Sequence, residues 1–255
     1  WNKNNLLTGA KHITVAGHIV YITTDKGVVI LDLDQPLAPK HITTIALNDP
    51  RATAIQFRYL FVTDSEGLKV IDVTNVAQPV LVKNNLIPMK NAQKLHLART
   101  YAYVAAGEEG MVIVDITQPT AMREYQRYNA DGQLQDSRDV IVATTNASLF
   151  AYVADGKGGL KVIQLTSPEI QPKFYGFSPE PKPTLIAKYP SKKALFSLSR
   201  PLERDRGVDE TGEQISVFGR RGSRPLNQQE MNKMYLDKNG KPWFVEDKPQ
   251  ASQKK

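Results

Sequence analysis

Few side chains in this chain could do chemistry, and none of them forms a motif that a known reaction requires. The four histidines do not have the spacing of metal ligands on a helix, and they are His12, His18, His41 and His96. The chain has no cysteine, which excludes disulfides, thiolate metal sites and cysteine nucleophiles. No nucleophile elbow, phosphate-binding glycine loop or calcium loop of standard spacing is present. We therefore predict no metal and no cofactor, and an enzyme is the less favoured interpretation.

Seven polar residues nevertheless have a common setting, because each lies at the start of one of four similar alternating segments. Their mixed charges could hold a small anion, ordered water or a loop of another protein. Three of them, His12, Lys94 and Arg138, form a titratable trio if the fold brings them together. The full set is Lys11, His12, Thr53, Gln93, Lys94, Arg138 and Asp139.

Four glycine-led segments of nearly the same sequence organise the chain and must position these residues. Their glycines are 40, 43 and 49 residues apart. A period of about 40–45 residues is typical of small sheets that stack on one another, since each alone cannot bury its faces. The segments are Gly27-Val-Val-Ile-Leu-Asp32, Gly67-Leu-Lys-Val-Ile-Asp72, Gly110-Met-Val-Ile-Val-Asp115 and Gly159-Leu-Lys-Val-Ile-Gln164.

Each repeat contains four predicted strands. An alternating segment such as Ala52–Phe57 and an apolar run such as Leu60–Val62 precede the glycine, and a polar turn and an outer strand such as His41–Ile45 follow it. Period-two alternation of β-branched and aromatic residues indicates strands. We predict an all-β fold, a β-propeller of four-stranded blades. The first strand of each blade lines the central channel of a propeller, so the seven polar residues would ring one channel mouth.

These segments resemble the LVIVD repeat family, which is named for a glycine-led Leu-Val-Ile-Val-Asp strand, and Met111–Asp115 is the closest copy. The resemblance covers roughly residues 10–170. It implies a bacterial or archaeal β-propeller, usually outside the cytoplasm, and it implies no shared catalytic motif. The aspartate that ends three copies is interpreted as an acid that bonds its own turn, because Gln164 replaces it in the fourth.

Beyond residue 170 the repeat weakens. Ala194–Leu198 could replace the aromatic strand and Gly212–Val217 the glycine-led strand, with a charged loop over residues 200–212 between them. We predict a degenerate fifth blade over about residues 183–219, so that propeller blades span residues 1–219. Residues 220–255 are predicted to be a basic extension with a hairpin near residues 235–245, around Asn239-Gly240.

The first residues suggest that more of a propeller exists. Asn2–Leu6 reads Asn-Lys-Asn-Asn-Leu, which echoes Val82–Leu86 in the outer-strand region of the second repeat. This predicts that the chain begins in the outer strand of an earlier blade. Either that strand closes the ring, or upstream blades belong to a longer polypeptide, and we favour the second alternative. The sequence contains no membrane-spanning apolar run.

The positive charge is concentrated in the last third of the chain. Residues 1–170 carry 16 Lys and Arg against 16 Asp and Glu, so the whole excess of +7 lies in residues 171–255. The densest cluster is Arg220, Arg221 and Arg224, which could dock an acidic partner. Nucleic acid is not expected, because no aromatic side chains interleave with these arginines as a stacking platform.

Two functions follow from these observations. The favoured one is a non-catalytic extracytoplasmic propeller that mediates protein–protein interaction, as the C-terminal part of a larger polypeptide or of a surface or respiratory complex. The alternative is a small-ligand-binding or hydrolytic propeller that uses the polar residues of the channel mouth. A convergent cluster of titratable groups with strongly shifted pKa values at that mouth would favour the alternative.

Overall fold

The computed structural model describes residues 1–145, 148–167, 169–171 and 178–199, and beyond them residues 207–208, 214–216, 220–221, 224–225, 229 and 237–241. The chain forms two compact units, Trp1–Leu198 and Ser199–Lys255. In the described residues no helix is long and apolar enough to cross a membrane.

The first unit consists of four antiparallel sheets whose strands pair in chain order. The first sheet contains β1 (His12–Ala16), β2 (Ile19–Thr24), β3 (Gly27–Asp32) and β4 (Lys40–Ile45). The third contains β10 (Leu95–Ala98), β11 (Tyr101–Ala105), β12 (Met111–Asp115) and β13 (Arg123–Tyr128). The fourth contains β14 (Asp139–Thr145), β15 (Ser148–Ala154), β16 (Leu160–Thr166) and β17 (Thr184–Tyr189).

The second sheet differs in its outer strand. It contains β5 (Ala52–Gln56), β6 (Tyr59–Thr63) and β7 (Gly67–Asp72), and its outer strand is split into β8 (Val80–Leu81) and β9 (Ile87–Pro88). Both short strands pair with β7. In the other three sheets the outer strand is continuous but shifts its register opposite the middle of the third strand.

The sheets stack face to face because their middle strands are apolar on both sides. Leu60 and Val62 of β6 pack with Tyr21 and Ile30 of the first sheet. Phe61, between them in sequence, packs in the opposite direction with residues of the third sheet. A separate cluster around Tyr103 and Ile163 joins the third and fourth sheets. The four inner strands therefore follow one another, with β1 beside β5, β5 beside β10 and β10 beside β14.

This stack of four-stranded antiparallel sheets, each turned against the next through its inner strand, is the β-propeller arrangement that the repeats predict. Three aspartates at the ends of the third strands bond their own turns, as expected. The carboxylates of Asp32, Asp72 and Asp115 each accept a hydrogen bond from the backbone N–H two residues later, at 2.8–2.9 Å.

The glycine that leads each third strand is required by a close approach of two backbones. A Cβ atom at any of the four glycines would lie less than 3.0 Å from a carbonyl oxygen of the outer strand. The glycines also have positive φ, which other residues rarely adopt. The four pairs are Gly27 with Ile45, Gly67 with Ile87, Gly110 with Tyr128 and Gly159 with Tyr189.

The first residues do not form the outer strand that we expected. Lys3–Asn5 forms a short turn in place of a strand, since Asn4 and Asn5 have φ values of 54° and 55°, in the left-handed region, where an extended strand is impossible. Asn84, in the segment that Asn2–Leu6 echoes, has φ 55° and lies in the gap that splits the outer strand of the second sheet. The Lys-Asn-Asn-Leu sequence therefore marks a break in a strand.

The region expected to form a degenerate fifth blade begins with a strand of the fourth sheet, since Thr184–Tyr189 pairs with β16. Ala194–Leu198 is not a second strand. Leu195 forms an isolated bridge with Gly156, as Ser137 does with Gly107 just before the inner strand of the fourth sheet. Leu195 thus corresponds to the connection that leads into an inner strand.

The second unit is described in short pieces. β18 (Gly207–Val208) pairs with β19 (Gln214–Ser216), which lies inside the segment expected to be glycine-led. A turn is formed at residues 237–241, where the Gly240 N–H donates to the Asp237 carbonyl at 3.0 Å. The remaining residues of the predicted hairpin near 235–245 lie outside the described residues.

We expect Gly67→Ala to destabilise the protein by about 3 kcal/mol or more, since alanine meets both the left-handed backbone cost and a carbonyl oxygen. Gly17→Ala is the matched control, because Gly17 also has positive φ but nothing lies within 4 Å of its Cβ position. The control should cost only about 1–2 kcal/mol. Urea unfolding measures both, and equal losses would contradict the close-approach explanation.

Candidate functional site

Candidate residues at the starts of the inner strands form hydrogen bonds across neighbouring sheets. The backbone N–H of Thr53 donates to His12 Nδ1 at 3.3 Å, which joins β5 to β1. The backbone N–H of Lys94 donates to the carbonyl of Arg138 at 3.4 Å, which joins β10 to the start of β14. These bonds bring candidate residues of neighbouring sheets together, and their position at a channel mouth stays a prediction.

One half of the mouth is a hydroxyl and imidazole network between the first two sheets. Thr14 Oγ1 donates to the Thr53 carbonyl at 2.8 Å and lies 2.8 Å from Thr53 Oγ1. Because a backbone N–H donates to His12 Nδ1, this nitrogen carries no proton. The imidazole is therefore held in place by the neighbouring strand.

The other half is an ion pair between the third and fourth sheets. Lys94 Nζ donates to Asp139 Oδ2 at 3.0 Å, and the Asp139 side chain is only 7% exposed. The same carboxylate oxygen accepts the backbone N–H of Leu198 at 2.9 Å. Ser197 Oγ lies 2.6 Å from Lys94 Nζ and 3.2 Å from Asp139 Oδ2. The pair thus ties the segment after the fourth sheet to the mouth.

The other candidates face neighbouring turns. Lys11 forms an ion pair with Asp49, which also pairs with Arg51 at 3.1 Å. Gln93 Nε2 donates to Asn91 Oδ1 at 2.6 Å. Arg138 Nε lies 2.5 Å from Asp136 Oδ1. Of the proposed trio, His12 and Lys94 are near enough to interact electrostatically, and Arg138 is directed to Asp136.

The environment keeps His12 neutral. Burial lowers the pKa of His12 below its ordinary value of 6.5, and the positive charge of Lys94 lowers this pKa further. The Asp139 carboxylate opposes both effects and does not outweigh them. His12 therefore acts as an acceptor between two strands, and protonation would break its bond to Thr53.

The arrangement can fix strands more readily than it can transform a substrate. His12 and Lys94 each already bond to a residue of a neighbouring sheet, and these hydrogen bonds connect the two sheets. A nucleophile next to a general base would leave a reactive atom directed at open space. The described mouth residues show the first pattern.

A second site, which the sequence interpretation missed, lies at the turn between β5 and β6. Phe57 has φ 53° and its side chain is 93% exposed. The corresponding turn positions in the first and third sheets are Gly17 and Arg99, also at positive φ. A comparison of the repeats could have found it, because a bulky aromatic replaces a glycine in a turn slot.

This turn is held rigidly on both sides. Gln56 Nε2 donates to the carbonyl of Arg99 at 2.9 Å, which ties the turn to the third sheet. The guanidinium of Arg58 lies 5.0 Å from the centre of the Tyr59 ring and donates to the Tyr59 hydroxyl at 2.8 Å. Phe57 is thus an exposed aromatic ring on a fixed support with arginines beside it.

The three arginines proposed for docking lie in the second unit. Two short strands, β20 (Arg220–Arg221) and β21 (Arg224–Pro225), pair with each other so that Arg221 is opposite Arg224. Their backbones therefore share one hairpin.

A sequence profile of the LVIVD repeat matches the chain four times, over residues 9–43, 54–86, 90–130 and 147–168. Each match lies on one of the four sheets; the third covers all four strands of its sheet, and the fourth covers only its two middle strands, β15 and β16. No protein with a curated functional description matches the chain.

Solved structures resemble the chain at low sequence identity, and one of those below has a TM-score above 0.5. A functionally unknown protein from Desulfotomaculum acetoxidans is 9% identical with a TM-score of 0.54, over 71% of this chain and 56% of that one. The β-propeller domain of Cps50 (Swd1) from Myceliophteria thermophila is 12% identical with a TM-score of 0.48, over 70% and 57%. Apo AztD from Citrobacter koseri is 14% identical with a TM-score of 0.42, over 74% and 48%. The chain thus spans about half the length of these structures.

We expect the free energy of unfolding of the wild type to fall as the pH is lowered through 6.5. The reason is that His12 binds a proton more readily in the unfolded state than in the folded state. Stability is therefore greatest above the unfolded pKa and decreases until the lowered folded pKa is reached. His12→Asn keeps an acceptor for Thr53 and should make this decrease shallower. Urea midpoints between pH 7.5 and pH 5 measure the slope.

The exposed His18, in the next turn of the same sheet, provides the matched control as His18→Asn. A decrease that is as steep in His12→Asn as in the wild type would assign the pH dependence to other groups.

Proposed function

The chain belongs to the LVIVD repeat family, and on that premise we propose that it is a non-catalytic β-propeller scaffold that binds another protein outside the cytoplasm of a bacterium or archaeon. The observation that carries the proposal is the Phe57 turn, where an exposed aromatic ring occupies a strained backbone position. The family resemblance supports the location, and the geometry of the turn supports the binding.

The strained backbone of Phe57 is not offset by burial of its own ring. A left-handed conformation costs a bulky residue about 1–2 kcal/mol, and a 93% exposed ring buries almost no apolar surface in return. The same turn in the first sheet uses Gly17, which avoids the cost. Strained residues persist where they serve a function. An aromatic ring that a partner buries is such a function, because aromatic side chains dominate interface energies.

The surroundings of the ring indicate the chemistry of the partner. Arg58 is more than half exposed, with 58% of its side chain in solvent, although Asp72 lies 3.7 Å away. Arg99 occupies the equivalent turn of the adjacent sheet. An apolar pocket with carboxylates at its rim would complement this surface. We therefore infer an acidic partner protein, as we did from the basic cluster at residues 220–224.

The alternative function, binding or hydrolysis of a small ligand at the channel mouth, has less support. Lys94, Asp139 and His12 are each used to join neighbouring sheets. A ligand at the mouth would have to displace these bonds and loosen the joints between blades.

Two variants separate the role of the ring from the effect of the strain. Phe57→Ala removes the ring and keeps the strained backbone, whereas Phe57→Gly removes both. Both should reduce retention of the partner about tenfold, and only Phe57→Gly should gain stability, by up to about 1 kcal/mol. Pull-down from native extract at low and high salt, together with urea unfolding, measures the two effects.

A photo-crosslinking residue at position 57 tests the contact directly. The matched control is position 37, because Leu37 is a fully exposed apolar residue in the loop between β3 and β4. We expect one acidic protein to crosslink at position 57 and not at position 37. Undiminished capture by Phe57→Ala would overturn the role of this turn. Reversal of Arg220, Arg221 and Arg224 to Glu then tests whether the basic hairpin is the docking surface.

The location is tested by protease protection. The outer barrier of the cells is permeabilised while the cytoplasmic membrane stays closed. Added protease should then digest an epitope-tagged natural protein and leave a cytoplasmic marker intact. Protection of the protein together with the marker would contradict an extracytoplasmic scaffold.

A further inference from the structure

A cavity of about 580 Å³ lies between the third and fourth sheets, on the face that carries the turns from second to third strands. This volume is within the range of small-ligand pockets. The turn at Glu108 forms one wall, the connection around Gln135 another, and the turn at Lys157 and Gly158 a third. Leu134 and Phe196 contribute apolar surface.

Comparison with the second sheet shows what is unusual here. There Asp64 is fully buried and its carboxylate is satisfied. Its Oδ1 accepts the N–H groups of Glu66 and Gly67 at 2.9 and 3.2 Å, and its Oδ2 accepts Lys69 Nζ at 2.6 Å. Burial lowers the pKa of Lys69, but the carboxylates of Asp64 and Glu66 outweigh burial and raise this pKa above its ordinary value.

Asp155 is the corresponding residue of the fourth sheet, and its side chain is 1% exposed. Its Oδ1 accepts the N–H groups of Gln135 and Asp136 at 2.9 and 2.8 Å. Its Oδ2 accepts no hydrogen bond, because the corresponding lysine, Lys161, is 3.9 Å away. The ion pair is therefore longer in the fourth sheet than in the second, and it leaves Oδ2 of Asp155 without a hydrogen bond.

The sequence explains why Lys161 and Asp155 are farther apart than Lys69 and Asp64. The turn after Asp155 is one residue longer than the turn after Asp64, and it reads Gly156-Lys-Gly-Gly159. The longer turn leaves the carboxylate bonded to the connection at residues 135–136 and no longer to its own turn. A buried carboxylate oxygen without a hydrogen bond is unfavourable, so this oxygen can accept one further donor beside the Lys161 ammonium.

That oxygen lies directly behind the wall of the cavity. Oδ2 lies against Gly158, where a Cβ atom would be less than 3.0 Å away, and Gly158 lines the cavity. Glu108 at the rim is exposed and forms no ion pair among the described residues, and Phe196 is 60% exposed. Asp136 forms an ion pair with Arg138. Among the residues that line the cavity, Lys157 is the one with a basic side chain.

We propose that this cavity binds an organic cation, an ammonium or guanidinium group on an apolar stem. The cation donates to Asp155 Oδ2 after a small movement of the turn at residues 156–158, with Glu108 as a second anion. The stem lies on Leu134 and Phe196. A free amine and a lysine or arginine side chain of another protein share this chemistry.

The test uses three small probes and amide NMR of the whole chain. Phenethylammonium represents the free amine, N-acetylarginine amide represents the protein side chain, and phenethyl alcohol is the neutral control. We expect either cation to shift the amides of Gly158, Gln135 and Asp136, and the alcohol to bind at least about tenfold more weakly. Saturation by phenethylammonium alone assigns the site to free amines, and saturation by the arginine amide assigns it to a protein side chain.

Two variants locate the charge. Asp155→Asn keeps the Oδ1 acceptor and should weaken cation binding about tenfold or more. Glu108→Gln changes only an exposed side chain, so it folds even if Asp155→Asn does not, and should weaken binding about two- to fivefold. Glu66→Gln removes the same charge from the corresponding turn of the second sheet and is the matched control.

The proposal is overturned if neither cation shifts these amides, if the alcohol binds as tightly as the ammonium, or if Glu108→Gln behaves as Glu66→Gln does.

Discussion

The close approach of each leading glycine to the outer strand is the constraint on which the rest of the fold depends. The contact lets the third strand begin directly beneath the carbonyl at the end of the outer strand, and no side chain fits between them. It therefore fixes where the turn from the second strand must end. The buried aspartates of these turns, Asp64 and Asp155, follow from that position, as does the cavity beside Asp155.

Charged groups at the channel mouth have a related role. A propeller whose sheets meet only through apolar side chains would have little to fix the rotation of one blade against the next. The ion pair of Lys94 and Asp139 and the bond from Thr53 to His12 supply directional contacts at the inner strands. Directional bonds weaken steeply with misalignment, so they select one packing among several of similar burial.

The sequence predicts the parts of this fold that repeat. Period-two alternation and the spacing of the glycines were sufficient to predict the four sheets and to place His12, Thr53, Lys94 and Asp139 at or near the starts of inner strands. The pairings of these residues could not be predicted, since Ser197 and Leu198 reach Asp139 from a segment with no repeat signal. The long Lys161–Asp155 ion pair could not be predicted either, because it depends on a one-residue difference in turn length. The strand break at Asn4 and Asn5 depends on backbone conformation, which alternation does not encode.

The split outer strand of the second sheet has a consequence for association in solution. An outer strand is an edge with unpaired backbone groups, which another chain could extend. Between β8 and β9 this edge is interrupted, and Asn85 anchors the interruption by donating to the Pro119 carbonyl at 2.7 Å and accepting from the Met122 N–H at 2.8 Å. The neighbouring sheet thus holds the interruption in place, and an incoming strand would meet a discontinuous ladder of backbone groups there. The break therefore limits pairing only at the edge of the second sheet, since the outer strands of the other three sheets are continuous.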